Sequence, residues 1–382
     1  MNRWHCLLAV SVGLVAGFFA TLTAAPSPTS PLVEGELNGA RFAIARPIGP
    51  WNGHLLLHAH GYRSESAPLV ADLFPGHAAY AKLLDEGWMI AMTSYRRNGL
   101  IITDALDDLD RLREHVARAF GEPTRVILEG DSMGGAIVTL LAERGDGTYT
   151  GAIAVGAALQ VREPNGTTGV NFRPKVPLLF LTNQSELEGP RAYVQQATTL
   201  ATLERDLVAP VVFRVSRDGH VNVNQAERLL AVRALMGWIE VGRASLPGTA
   251  PRAGDSPAAE FFDATVVPRP LPSKVTPTAD GRGFVTTIQE VSAIYGNAYV
   301  DAQPADFAAA GIQPGTFFRL SVGEQVFRVR YGRDFDSVER GQWVMFPNAE
   351  GFFWLARNLE NAARTAGLSV GGGVVIERYP SR

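Results

Sequence analysis

An α/β fold, with a mainly parallel, doubly wound sheet covered by helices on both faces and a β-rich, barrel-like module behind it, is what this 382-residue sequence predicts. Three observations carry the prediction. From about residue 33 to 242, short apolar runs alternate with amphipathic stretches, the pattern of strand and helix units laid into one sheet. From about 243 to 278 the composition turns to Pro, Ala and Ser, with Pro268, Pro270 and Pro272 alternating, as in a linker. From 279 to 382 the chain carries runs of strand type, such as Gly283 to Ile288, with no long helical pattern between them.

Composition narrows the functions worth considering. The 35 Lys and Arg residues nearly balance the 38 Asp and Glu, for a net charge of -3, and no basic cluster stands out, so nucleic acid is not the expected partner. At the start, Asn2 and Arg3 precede the almost wholly apolar Leu7 to Leu22, and Thr23-Ala24-Ala25 supplies small residues before Pro26. Residues 1–25 therefore read as a signal peptide, with an uncleaved anchor as the alternative. The expected product is secreted or periplasmic and leaves the membrane once the signal is cut. The single cysteine, Cys6, lies inside this segment, so the remaining chain has no disulfide framework.

The elements follow in order. Gly35 to Ile44 has the look of a hairpin, and His54-Leu55-Leu56-Leu57-His58-Ala59 is a short buried-strand run. A helix is expected around His77 to Glu86, a strand from Trp88 to Tyr95, and a helix from Ile102 to Phe120. In that helix Leu106, Leu109, Leu112 and Val116 recur at helical spacing between charged residues, so one stripe faces a core. Strands are expected at Thr124 to Leu128, Gly151 to Ala158, Val176 to Leu181 and Val211 to Val215, with helices from Gly134 and from about Gln225 to Val241. In the linker, Phe261 and Phe262 are candidates to dock on a neighbouring surface.

The chemistry is concentrated in Gly130-Asp131-Ser132-Met133-Gly134, which fits G-x-S-x-G between a strand and a helix. A serine at the carboxyl end of a parallel strand, on a sharp turn into a helix, stands where open α/β sheets hold ligands. Glycines at 130 and 134 let that turn approach neighbouring backbone, so Ser132 is the expected nucleophile. A serine needs a base that is itself oriented by an acid. His220, in Arg217-Asp218-Gly219-His220, follows the last expected strand and precedes the last helix, and is the best-placed base. The acid should follow the strand ending near Leu181. Glu186 has the better spacing, Glu188 is its rival, and Asp218 is a remote third. The oxyanion donors expected are the backbone N–H of Met133, just after the nucleophile, and that of Tyr62 in His60-Gly61-Tyr62. His58 and His60 have no partner at ligand spacing to complete a metal site, and no cofactor is expected.

On these residues, Val33 to Val241 resembles an α/β-hydrolase fold serine hydrolase, and the stretch PIGPWNGHLLLHAHGY is similar to the opening of secreted bacterial esterase-like members. The resemblance implies the order nucleophile, acid, base, with glutamate where most members carry aspartate. Many relatives insert a helical cap between the strands near Ala158 and Val176; here only a loop fits, so no large cap is expected. The C-terminal part resembles the C-terminal domain of the S-adenosylmethionine hydroxide adenosyltransferase and fluorinase family, through Ile294-Tyr295-Gly296-Asn297, Asp334 to Gly341, and the stretch beginning at Asn348. That resemblance implies a possible ligand site at Asn297, Asn348, Arg357 and Asn358. The sequence thus predicts an exported serine hydrolase acting on a small or polymeric acyl substrate, most naturally a carboxylic ester. A peptidase or amidase is the alternative within that chemistry, and a non-catalytic binding protein is the alternative outside it.

Overall fold

The structure is a computed structural model that describes residues 30–163, 169–246, 261–268, 272–292 and 294–379. The expected signal peptide, the centre of the loop at 164–168 and much of the expected linker lie outside the described residues. Among the described residues no helix is long and apolar enough to cross a membrane.

The N-terminal part is one nine-stranded sheet. It opens with a hairpin, β1 (Leu32–Leu37) and β2 (Ala40–Ala45), antiparallel to each other, and β2 continues antiparallel onto a later strand. The remaining strands are β3 (His54–Ala59), β4 (Met89–Thr93), β5 (Arg125–Asp131), β6 (Gly151–Val155), β7 (Leu178–Asn183), β8 (Val211–Val215) and β9 (Phe261–Asp263). Their order is β1-β2-β4-β3-β5-β6-β7-β8-β9, and from β4 onward all neighbours are parallel. β4, β6 and β7 are buried along their whole length, which is why they read in the sequence as unbroken apolar runs rather than alternating ones.

Helices cover both faces. Between β4 and β5 runs α2 (Ile102–Phe120), and α3 (Met133–Arg144) and α4 (Glu188–Ala201) join it on one core. α1 (Ala78–Asp85) and α5 (Gln225–Val241) fill the other face. α2 buries Ile102, Ala105, Leu109, Leu112 and Val116, one stripe at helical spacing, and Asp108 on its margin is paired with Arg96. α5 begins with a capping box in which Asn224 accepts from the Glu227 N–H and Glu227 reaches back to the Asn224 N–H.

The linker reading needs correction in its middle and at its C-terminal end. β9 lies within it and adds parallel to β8, with Phe262 packed on Phe213 at 5.0 Å between ring centroids and Ala264 buried in the core. Two of the three residues of β9 are exposed, and a strand this short carries too little periodicity to stand out from a Pro-rich context. At the other end, β10 (Thr276–Pro277) already pairs with the second module.

That module is a closed barrel. Seven strands, β11 (Gly283–Val291), β12 (Ala298–Val300), β13 (Phe317–Val322), β14 (Gln325–Tyr331), β15 (Trp343–Pro347), β16 (Phe353–Arg357) and β17 (Gly373–Arg378), run β11-β12-β16-β15-β14-β13-β17, and β17 pairs back onto β11. Closure leaves no free edge among these strands. Two short helices accompany them, α6 (Pro304–Ala309) and α7 (Ala362–Ala366). Phe307 of α6 is fully buried among Phe284, Phe318 and Tyr331 and stacks on Phe353 at 4.1 Å. Burying a side chain of this size contributes about 1.5–3 kcal/mol.

Candidate active site

The serine stands where β5 hands the chain to α3. Its backbone has φ 57° and ψ -114°, a conformation L-residues avoid, and it is held there from both sides: Ser132 N–H donates to Val155 O at 2.9 Å, and Ala158 N–H to Ser132 O at 2.9 Å. The flanking glycines are required by contact. A Cβ on Gly130 would lie 2.2 Å from Gly134 O, and one on Gly134 would lie 1.9 Å from Ala59 O. The elbow is thus wedged against the end of β3, next to the loop that follows it.

Base and acid come from the two loops beyond. His220 Nε2 is 2.7 Å from Ser132 Oγ, and His220 Nδ1 is hydrogen-bonded to Glu186 Oε1. Glu186 ends a single 3-10 turn directly after β7, while Glu188 is exposed at the start of α4, so the structure brings Glu186 to the histidine and not its rival. Asp218 is turned to Gln184 Nε2, at 3.0 Å. The loops are laced together: buried Asn183 donates to Arg217 O and Asn222 O and accepts from the Asn222 N–H at 2.8 Å, and Ser185 Oγ accepts from the Gly219 N–H at 3.0 Å. Burial works against a charged His220 ring, but the Glu186 bond and charge, with Asp131 and Asp336 further off, outweigh it and raise the pKa above the ordinary imidazole value.

The proposed oxyanion donors flank the serine. Met133 opens α3, and N–H groups of a first helical turn have no partner within the helix. Gly61 brings the other loop close: a Cβ there would lie 3.0 Å from Asp131 O and 3.2 Å from Ser132 Cβ. The preceding His60 is buried with its ring nitrogens 2.7 Å from Gly61 O and 3.1 Å from Ser94 O. Burial, then the charge of Arg63, takes its pKa down to about 3, so the ring is neutral and braces the loop as a donor to one of those carbonyls. His58 turns the other way, towards Glu129 at 3.3 Å. Among the described residues no group of three His, Cys, Asp or Glu side chains is placed to hold a metal ion.

Beneath the elbow lies a buried charge network that sequence reasoning missed. Arg228 of α5 donates to Glu129 at 2.8 Å and to both oxygens of Asp131 at 2.9 and 2.8 Å, while Tyr80 donates to Glu129 at 2.7 Å. Glu129 stays ionised although buried: desolvation opposes its charge, but Arg228, His58 and Tyr80 outweigh it and hold the carboxyl well below the usual range. The available signal was a glutamate inside the apolar run Val126-Ile127-Leu128-Glu129, since a charge there requires a partner.

The four candidate residues of the barrel do not form one constellation. β12 is antiparallel to β16, with Ala298 opposite Leu355 and Val300 opposite Phe353, so Asn297 lies towards the Arg357–Asn358 end of β16. Asn348 lies in the β15–β16 turn at the other end, a strand of five residues away, or about 13 Å. Arg357 donates to Gly341 O and Thr365, and Asn358 to Val338 O, all partners within the same module. Asn348 closes its own turn by accepting from the Glu350 and Phe352 N–H groups. A turn-closing role of this kind accounts for an asparagine at position 348 without a ligand.

The strand order and the elbow are those of an α/β-hydrolase fold, followed by a separate closed barrel. The family model for serine aminopeptidase, S33, matches residues 101–207. Among solved structures, Est1E from Butyrivibrio proteoclasticus is similar at 12% identity over 55% of this chain and 99% of that chain, with a TM-score of 0.39. Porphyromonas gingivalis dipeptidyl peptidase 4 is similar at 15% over 56% of this chain and 36% of that one, with a TM-score of 0.43. An uncharacterized conserved protein from Thermotoga maritima matches at 21% over 27% of this chain and 39% of that one, with a TM-score of 0.26. The chain thus spans well under half the length of the last two. No curated protein matches the sequence.

Proposed function

We propose that the chain is a serine hydrolase that cleaves an acyl bond, most naturally a carboxylic ester, through an acyl-enzyme. The observation that carries this reading is the continuous Ser132–His220–Glu186 hydrogen-bond chain on the strained elbow. Ser132 Oγ attacks the acyl carbonyl as His220 Nε2 takes its proton, and Glu186 holds the imidazole in the tautomer that can accept it. The oxygen of the tetrahedral intermediate is met by the N–H groups of Met133 and Tyr62. The C–O bond to the leaving group breaks as His220 returns the proton to that oxygen. Water then attacks the acyl-serine with His220 as base, which frees the acid and restores Ser132.

Hydrolysis of p-nitrophenyl acyl esters by the wild-type chain and Ser132→Ala, with fluorophosphonate labelling of the serine, tests the assignment. Turnover and labelling in the wild type, both lost in the variant, are expected; a folded wild type that shows neither would sink it. Amide hydrolysis is the second reading, favoured by the family model that matches residues 101–207. Peptide p-nitroanilides in the same assay distinguish the two. We also propose that residues 1–25 direct export, to be checked by sequencing the N-terminus of the protein recovered outside the cytoplasm. For the barrel we propose a supporting role instead of adenosyl binding, because Asn348 lies a strand's length from the other candidates and Asn348, Arg357 and Asn358 bond to partners in the barrel itself.

A further inference from the structure

Among the described residues, the barrel meets the hydrolase domain at the loop of the base, at the start of the helix that follows it, and at the loop of the second oxyanion donor. The β15–β16 turn seats on the start of α5, just past His220: Gln225 N–H donates to Glu350 Oε1 at 2.7 Å and Asn224 Nδ2 to Ala349 O at 3.4 Å. Arg333 Nη1 stands 4.0 Å from Asp218 in the loop of the base. Tyr295, in the connection between β11 and β12, donates its hydroxyl to Tyr62 O at 3.2 Å. A module attached only as a passenger has no reason to centre its contacts on one catalytic cleft.

We infer that Tyr295 is a positioning residue for acyl transfer, its hydroxyl fixing the Tyr62 residue whose N–H is the second oxyanion donor, so that the barrel completes the active site. The inference rests on the serine-hydrolase reading. Tyr62 is 45% exposed, so packing gives the residue little hold, and the bond to its carbonyl ties the Cα and hence the N–H on its other side. The hydroxyl is well suited to this. Burial raises its pKa, against the opposing charge of Arg63, so it remains a donor throughout the range in which His220 works. The neighbouring Arg63 is itself fixed, through Val70 O at 2.6 Å and Asp72. Because the oxyanion forms only in the transition state, loss of this restraint acts on kcat more than on KM.

The test compares the full chain with Tyr295→Phe, which removes the hydroxyl oxygen and leaves the ring in place. For a p-nitrophenyl ester, kcat should fall about three- to ten-fold, the size of one neutral hydrogen bond, with KM nearly unchanged. The inhibition constant of an alkyl boronic acid, which mimics the tetrahedral intermediate, should rise by the same factor. Unchanged kcat and boronate affinity in a variant that fluorophosphonate still labels, or an effect confined to KM, would overturn the inference alone. A wild-type chain that neither labels nor turns over would overturn the hydrolase reading, and this inference with it.

Discussion

Gly134→Ala adds one methyl group to the elbow, and its cost can be worked from the contacts. The new Cβ would lie 1.9 Å from Ala59 O and 2.9 Å from His60 O, whereas ordinary contact begins near 3.4 Å. Both obstacles are backbone, so no rotamer change relieves them. The end of β3 must retreat by roughly 1.5 Å from the serine, taking the Gly61–Tyr62 donor with it. Overpacking of this kind costs about 1–3 kcal/mol, and a reacting group displaced by about 1 Å can lose a hundred-fold in rate. The matched control is Gly237→Ala in α5, where a Cβ meets nothing within 4 Å and should stabilise the helix by about 0.5–1 kcal/mol. Chemical denaturation gives the two stabilities and p-nitrophenyl ester turnover gives kcat. Gly134→Ala should be destabilised and slowed at least a hundred-fold, with Gly237→Ala at wild-type activity or better stability. A Gly134→Ala protein that unfolds and turns over like the wild type would refute the steric argument.

Glu186→Gln keeps the shape of the acid but removes the charge that raises the His220 pKa, so kcat should fall by about 10²–10⁴. In the wild type, kcat/KM should rise with pH through a pKa above the ordinary imidazole value, as His220 loses its proton. In Glu186→Gln burial is left less opposed, so that rise should move to lower pH, while Glu188→Gln should change neither quantity; a stationary limb in Glu186→Gln would show that Glu186 does not govern the base. Arg228→Met strands Glu129 and Asp131 in or near the core and should cost about 3–5 kcal/mol by urea denaturation. Since the Glu129 pKa is depressed in the folded state, its contribution is present above the unfolded carboxylate pKa and is lost as pH falls towards the folded value. Arg228→Met should therefore flatten the acid side of the stability profile, and an unaltered profile would remove the network from the account.

The α/β-hydrolase half and its candidate site were legible because their signals are local. The elbow motif, the histidine between the last strand and helix, and the glutamate just past β7 are each fixed by position relative to a strand end, and strand ends are marked by apolar runs. Helices α2 and α5 were bounded correctly from periodicity and breakers, with Gly121 and Gly242 just beyond their ends. What was hidden depends on pairs far apart in the chain. Arg228 meets Asp131 across 97 positions, Gln225 meets Glu350 across 125, and Tyr295 meets Tyr62 across 233, and no spacing rule reaches that far. β9 escaped for a different reason: three residues among prolines leave no period to read, and its partner strand supplies the order. In the barrel, Asn348 and Asn358 stood out through the family resemblance, but Asn348 closes its own turn and Asn358 ties β16 to the carbonyl of Val338.

By joining the sheet beside β8, β9 also moves the point at which the tether to the barrel begins. The Asn224 and Glu227 side chains hold Val266 at 2.7 and 3.0 Å, and Ser273 already donates to Asp306 of the barrel, so few residues separate the two anchored points. A short tether turns the meeting of the two domains into an intramolecular event with an effective concentration on the order of millimolar or above. A handful of polar contacts, too weak to join two separate proteins, can then keep Tyr295 against the loop of Tyr62 for most of the time.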